Sequence, residues 1–313
     1  MSDVCWVDLA HMSFDNSVAQ KLGRVIRESG AAAALSDGMR VALKVNTAEE
    51  GYEYGLRPVF VRTVAEAVER ATGTKPNVCD GLKLVDYWNG SKGQTLLNAA
   101  RSRGYSNDTL GGPFVINGGF SGDEGNLYSI GLPDSALGGV EVGAAVCRSD
   151  AAWVLAHVTL HPLFGLAGAL WNGGFECLIG RERTRVLQGV DAYAFNGQRP
   201  STASLQGFRQ RALESHLGVR ASVEGRLTYV NVLWDVTPRP EYFPFSEAPL
   251  VENLGFLVSR DPVALDAATA AVLEAEPALP VGSREELEAF REVLRVAESL
   301  GLGSAQPNVR RLS

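Results

Sequence analysis

Apolar positions in the first hundred residues switch between two periods. Residues 4–9 (VCWVDL) form a short β-rich run, and residues 14–28 follow with helical spacing at Val18, Leu22 and Ile26. Residues 39–45 (MRVALKV) are almost continuously apolar, as in a strand buried on both faces. A polar stretch covers 46–55. Pro58 then sits where a first helical turn tolerates proline, Val61, Val64, Ala65 and Val68 make one apolar stripe, and Gly73 is a natural stop. Residues 76–80 (PNVCD) read as the next strand, with Asp80 at its carboxyl end, and 96–103 as another helix.

The second half continues the alternation less regularly. The glycine-rich segment 117–126 (NGGFSGDEGN) is not a dinucleotide fingerprint, since no convincing helix follows it, and it reads as a surface loop rather than a phosphate cradle. Residues 151–157 (AAWVLAH) form a strand that delivers His157 at its end. A helix is expected over 201–216, strands over 227–233 and 254–259, and a helix opened by Asp261 as cap and Pro262 in the first turn. A last amphipathic helix covers 285–300, and the polar tail from Gly301 is expected to be loose.

This rhythm predicts an α/β fold with a mixed, mostly parallel sheet and helices on both faces. No repeat and no clean linker divides the 313 residues, so a single domain is expected, which two lobes would also fit. In such sheets ligands collect beyond the carboxyl ends of the strands. Asn46, Glu49, Glu50 and Asp80 fall at such positions.

Charge narrows the partners. The net charge is −7, and the densest basic run, Arg181 to Arg185, is short and interrupted by Glu182. That argues for no nucleic-acid partner. No apolar run is long enough to span a bilayer, and the opening residues lack the basic and apolar regions of a signal peptide, so the cytoplasm is the expected location. The four cysteines, Cys5, Cys79, Cys147 and Cys177, are scattered and do not read as a disulfide framework.

Two of the four histidines, His157 and His161, fall in one five-residue window. On a helical turn that spacing would put both imidazoles on one face, within reach of one divalent transition metal such as nickel, iron or zinc. A third ligand would come from Glu49, Asp80, Glu176 or Asp235. Equally open are general acid–base work without metal and a purely structural role. Asp80 can orient a histidine, ligate a metal or cap a helix. Lys44, inside an apolar strand, needs a carboxylate or an anionic ligand. Arg57 can grip a substrate carboxylate or pair with Glu49 or Glu50, and Arg181 belongs to a cluster able to hold an anion. Asp266 lies among apolar neighbours on its helix and needs a partner, most simply a structural hydrogen bond. His11 and His216 look peripheral.

Several stretches, in order, resemble the domain-of-unknown-function 362 family. They are VALKV (41–45), LRPVFVR (56–62), KPNVCD (75–80), HVTLHPLFGLAGALWN (157–172), VNVLWDVTP (230–238) and SRDPVALD (259–266). The resemblance implies an α/β fold and, in many members, iron–sulfur clusters. Here Arg239-Pro240-Glu241-Tyr242 stands where relatives carry cysteines after the D-x-T-P motif, so no iron–sulfur cluster is expected. Trp171 stands where a lysine commonly precedes the asparagine, Asn172, and Asn46 where a histidine is common. The 157–172 segment is also distantly similar to the cofactor-holding part of nickel-pincer lactate racemases, where a lysine anchors the cofactor.

The combined expectation is a metal-dependent enzyme acting on a small carboxylate-bearing metabolite by proton abstraction, as an isomerase or lyase. His157, His161 and Asp80 would be catalytic, with His157, His161 and Glu49 on the metal. Lys44, Asn46, Arg57, Trp171, Asn172 and Arg181 would contact substrate. The competing expectation is a non-catalytic small-molecule-binding protein on the same scaffold, with Trp171 closing an apolar pocket.

Overall fold

The computed structural model describes residues 2–82, 92–191, 197–243, 245 and 247–312. The strands are β1 (Ser2–Asp8), β2 (Val41–Lys44), β3 (Asn77–Gly81), β4 (Phe114–Asn117), β5 (Gly125–Ser129), β6 (Gly139–Gly143), β7 (Ala151–His157), β8 (Thr159–His161), β9 (Gly165–Ala167), β10 (Leu227–Leu233), β11 (Gly255–Ser259) and β12 (Pro307–Leu312). The helices are α1 (Val18–Glu28), α2 (Pro58–Thr72), α3 (Gly93–Ser102), α4 (Asn107–Leu110), α5 (Ala144–Cys147), α6 (Ala169–Asn172), α7 (Gly180–Leu187), α8 (Thr202–Ser222), α9 (Pro262–Glu274) and α10 (Val281–Ser299).

Eight strands make one sheet in the order β12-β1-β11-β10-β7-β2-β3-β4, and two small hairpins, β5–β6 and β8–β9, stand apart. Strand β11 is antiparallel to both its neighbours, while every other neighbouring pair is parallel. All strands of the sheet except β11 therefore send their carboxyl ends to one edge. Asp8, Lys44, Gly81, Asn117, His157 and Leu233 lie along it. The chain runs outward from β2 through β3 to β4, then returns to β7 on the other side of β2 and continues to β10. The β2–β7 boundary is thus the topological switch point, where open α/β sheets place their ligand crevice.

Alternation along the strands feeds two cores. Val41, Leu43, Trp153, Leu155, Val230 and Val232 face α1 and α2, whereas Ala42, Ala152, Val154 and Tyr229 face the side built from α5, α6, α8, α9 and α10. Each large apolar side chain buried this way contributes about 1.5–3 kcal/mol. The helix ends obey local rules. Ser17 and Gln20 form a capping box at α1, Gly73 takes φ 69° to end α2, and Asp261 accepts from the Val263 and Ala264 amides at 2.9 Å each to start α9.

The tail departs from expectation. Residues 307–312 form β12, in parallel register with β1 from Ser2↔Pro307 to Val7↔Leu312. Among the described residues no helix is long and apolar enough to cross a membrane.

Candidate functional site

The switch point is filled by the chain's own polar groups. Lys44, at the end of β2, is fully buried, and its ammonium donates to the Val45 carbonyl (2.6 Å), Asn46 Oδ1 (2.6 Å) and Asp80 Oδ1 (3.1 Å). An ammonium has three donors, so each finds an acceptor. The other oxygen of Asp80 accepts from the Thr47 amide and hydroxyl, both at 2.8 Å, and Oδ1 also accepts from the Gly81 amide. Asn46 donates to Asn172 Oδ1 at 2.8 Å, and Asn172 donates to the Gly168 carbonyl. Lys44, Asn46, Asp80 and Asn172 are therefore brought together in one hydrogen-bonded network.

His157 does stand at the carboxyl end of β7. Its Nδ1 lies 2.8 Å from Glu241 Oε1, while Nε2 faces the carbonyls of Trp234 (2.8 Å) and Asp235 (3.2 Å). A nitrogen facing carbonyls must carry a proton, and one facing a carboxylate is best served by a second. Burial alone would lower the pKa of His157. The charge and hydrogen bond of Glu241, with the two carbonyls, outweigh it and raise the pKa above the usual histidine value.

His161 is held differently. Its Nδ1 accepts from the Leu163 (3.1 Å) and Phe164 (3.0 Å) amides, which puts the ring proton on Nε2, 2.9 Å from the Tyr242 hydroxyl. The ring packs 4.4 Å from Trp171 and near Phe164 and Phe208. Burial in this aromatic pocket lowers its pKa to about 3.

The expected pairing on a helical turn is not the geometry adopted. His157 closes β7 and His161 lies in β8. Four extended residues separate α-carbons by up to ~13 Å, against ~6 Å along a helix. All four ring nitrogens have protein partners, none of them free for a cation. Among the described residues no group of three or more His, Cys, Asp or Glu is arranged to hold a metal ion. Glu49 is buried and bonded through its backbone, its amide to the Glu241 carbonyl (2.9 Å) and its carbonyl to Arg103 Nη2 (2.6 Å). The side chains His157, His161 and Glu49 do not fit a divalent metal as they stand.

Two further expected contacts lie elsewhere. Trp171 is core, stacked 4.3 Å from Phe175 with Nε1 donating to Glu176 Oε1 at 3.2 Å. Arg181 is exposed and paired with Glu141. His216, thought peripheral, is fully buried between the Leu170 carbonyl and the Tyr229 hydroxyl (2.7 Å), and burial lowers its pKa to about 4. Asp266 matches its structural reading, accepting from the Ala169 (2.7 Å) and Leu170 (2.8 Å) amides and from Asn231 (2.8 Å).

An opening does exist at the same edge. A cavity of about 300 Å³ is lined by Ala48, Glu53, Tyr54, Gly55, Leu56, Arg57, Pro58, Arg103, Tyr105 and Asp235. The loop after β2, the start of α2, the end of α3 and the turn after β10 build it. Arg57 pairs with Asp235 (3.3 Å) and lies 4.7 Å over the Trp234 ring, which fixes its guanidinium. Asp235 takes φ 52°, a left-handed conformation uncommon outside glycine. Its amide donates to Asn253 Oδ1 at 2.7 Å. Arg103 is half-buried, and among the described residues its guanidinium meets a neutral carbonyl, that of Glu49, and no carboxylate.

Sequence reading missed Arg103 and Glu241. Arg103 follows the last turn of α3, where a cation serves the helix dipole. Glu241 stood out only as a replacement for cysteine.

Fold and site together define an α/β protein with a small charged cavity at the carboxyl edge of its sheet. The chain belongs to the family described as domain of unknown function (DUF362), whose model matches residues 41–271. No curated protein matches the sequence. Among solved structures, the lactate racemase apoprotein from Thermoanaerobacterium thermosaccharolyticum is similar at a TM-score of 0.40 and 12% identity. That match covers 67% of this chain and 48% of the racemase, so the chain spans about half the racemase's length.

Proposed function

We propose that the chain binds a small carboxylate-bearing metabolite in the cavity between Arg57, Arg103 and Asp235, and acts on it by proton transfer. The observation that carries this reading is the Arg103 guanidinium, half-buried at the cavity wall with a carbonyl as its protein partner. A half-buried cation facing only a neutral carbonyl gains from a nearby anion, and a planar fork of N–H donors matches a carboxylate. At about 300 Å³ the cavity lies at the small end of ligand sites.

In the reaction, Arg103 and Arg57 hold the substrate carboxylate. Their charge favours the extra negative charge that develops when the neighbouring carbon loses a proton. The Asp235 carboxylate takes that proton. Returning it on the same face to another carbon of the delocalised anion gives an isomerase, and expelling a group from the next carbon gives a lyase. The reading uses no metal step, because the histidine nitrogens are engaged by the protein.

Calorimetric titration with acetate, lactate, malate and succinate tests the binding step. At least one should bind, and Arg103→Ala should weaken it by about tenfold or more, since a hydrogen bond to a charged group contributes about 1.5–3 kcal/mol. Absence of binding by every carboxylate, or equal affinity in Arg103→Ala, contradicts the reading.

The fully occupied donors of Lys44 and the engaged histidine nitrogens favour a second reading, a binding protein without turnover on the same cavity. Incubation of a bound carboxylate in deuterated water separates the two. Exchange of the carbon-bound hydrogen, lost in Asp235→Asn, supports the enzyme, and retention of hydrogen supports the binding protein.

A further inference from the structure

The proposed cavity gathers its charged groups from distant parts of the chain, and one buried pair links them. From His157, Nε2 reaches the carbonyls of Trp234 and Asp235, and Nδ1 reaches Glu241 Oε1. The backbone carbonyl of Glu241 accepts the Glu49 amide (2.9 Å), and the Glu49 carbonyl accepts Arg103 Nη2 (2.6 Å). One hydrogen-bonded path therefore joins the backbone of Asp235 to the guanidinium of Arg103 by way of His157 and Glu241.

We propose that the buried His157–Glu241 pair is a positioning device that fixes Asp235 and Arg103 relative to one another across the cavity. The inference rests on the reading of that cavity as a carboxylate site. Three features support it. Asp235 sits in the left-handed region, which aspartate tolerates better than most residues but which still needs holding contacts to be fixed. Its amide is held by Asn253 and its carbonyl by His157, so both sides of the strained residue are clamped. Both partners of the pair are buried, with side-chain exposures of 0% and 1%, so neither touches a ligand in the cavity. His157 and Glu241 act through their neighbours, as positioning residues rather than catalytic ones.

Charge explains why a histidine and an acid serve here. To clamp two carbonyls and hold Glu241 at once, the ring must donate from both nitrogens, which only imidazolium does. The carboxylate beside Nδ1 stabilises that form in the buried setting. A glutamine at 241 can turn its amide to donate to Nδ1, leaving the proton on Nε2 for the carbonyls, so it should keep most of the clamp. An alanine cannot.

The test uses the full chain with Glu241→Ala, His157→Ala and Glu241→Gln. Amide hydrogen–deuterium exchange needs no ligand. In either alanine variant, protection should fall at Asp235 and Val236 and at Glu49, while β7 and β10 stay protected, and Glu241→Gln should resemble the parent. Succinate affinity should fall about tenfold or more in the alanine variants, as expected when supporting contacts of a site are lost. Adding Arg103→Ala to Glu241→Ala should cost less than the sum of the two. Unchanged exchange at these amides, or succinate affinity equal to the parent in a folded alanine variant, overturns the proposal. Nitrogen chemical shifts of His157 in the unmodified protein give a check independent of variant folding. Protons on both ring nitrogens at neutral pH are expected, and a bare Nε2 overturns the clamp. Failure of the parent to bind succinate or any other carboxylate would instead strike the reading of the cavity, which the exchange data do not use.

Discussion

The ammonium of Lys44 lies 3.1 Å from Oδ1 of Asp80, and neither side chain has any solvent exposure. The pair bridges the ends of β2 and β3, one strand from the switch point between β2 and β7 where a ligand crevice is usual. With every donor of Lys44 and both oxygens of Asp80 engaged, it works as a polar plug between strand ends. Removing one partner leaves a buried charge without compensation, so Lys44→Met or Asp80→Ala should each cost about 3–5 kcal/mol. The double variant Lys44→Met/Asp80→Leu should recover only the part due to the unpaired charge, because the Thr47 amide and hydroxyl and the Gly81 amide still lose Asp80 as acceptor. Urea unfolding of the three variants checks this, and single variants as stable as the parent would contradict it.

Acid should destabilise the fold through two histidines. His161 and His216 have folded-state pKa values lowered to about 3 and about 4, against 6.5 when unfolded, mainly by burial. Between those limits the unfolded chain binds more protons, so stability rises with pH and falls on acidification. Their contribution is present above pH 6.5 and is lost as pH drops. Each should cost about 2 kcal/mol on going from pH 6.5 to 5. His157, with its raised pKa, works in the opposite sense. Its contribution is present below 6.5 and lost as pH climbs through its folded value. Unfolding midpoints at pH 7 and 5 for the parent and His161→Gln read this directly, and the variant should show the shallower acid loss.

Asp266 should matter for stability rather than chemistry. Its carboxyl receives two backbone amides at the start of α6 and the Asn231 side chain, all buried. Burial raises its pKa to about 6 against the pull of those donors. Asp266→Ala leaves three donors without a partner, at about 1–3 kcal/mol for each buried group. The expected result is a large fall in melting temperature. An unchanged melting temperature would show that the backbone re-forms its bonds elsewhere.

Most of the fold was legible because its signals are local. Pro58 and Gly73 bracket α2, Asp261-Pro262 opens α9, and the unbroken apolar run at 151–157 is β7. Strand β12 was not legible. PNVRRL has no apolar face to alternate, since an edge strand exposed along most of its length needs none. Only its pairing with β1, some three hundred residues away, makes it a strand. The site was legible in part for a similar reason. Strand-end residues such as Lys44, Asp80 and His157 announce themselves by following apolar runs. Their partners do not, because Glu241 reaches His157 across 84 residues and Arg103 reaches the Glu49 backbone across 54. The H-x-x-x-H spacing left the metal, acid–base and structural readings open, because spacing alone does not tell a helical turn from a strand and hairpin in a short apolar segment.

The same strand yields a prediction. β12 covers the edge of β1, tied by Asn308 to Asp3 at 2.8 Å and by Arg311 to Asp8. Removing residues 307–312 should lower the melting temperature and expose the paired edge of β1 to other chains. Sedimentation velocity should then show stronger concentration-dependent association than the full chain shows. A truncated protein that associates no more than the full chain and is equally stable would mean that β12 contributes little.

The central claim is that a carboxylate seats between Arg57, Arg103 and Asp235. A crystal structure of the protein soaked with the tightest-binding carboxylate tests it most directly. The account predicts the carboxylate within hydrogen-bond distance of the Arg103 guanidinium, with its neighbouring carbon facing Asp235. A ligand bound elsewhere on the protein, with Arg103 still meeting only the Glu49 carbonyl, would contradict it.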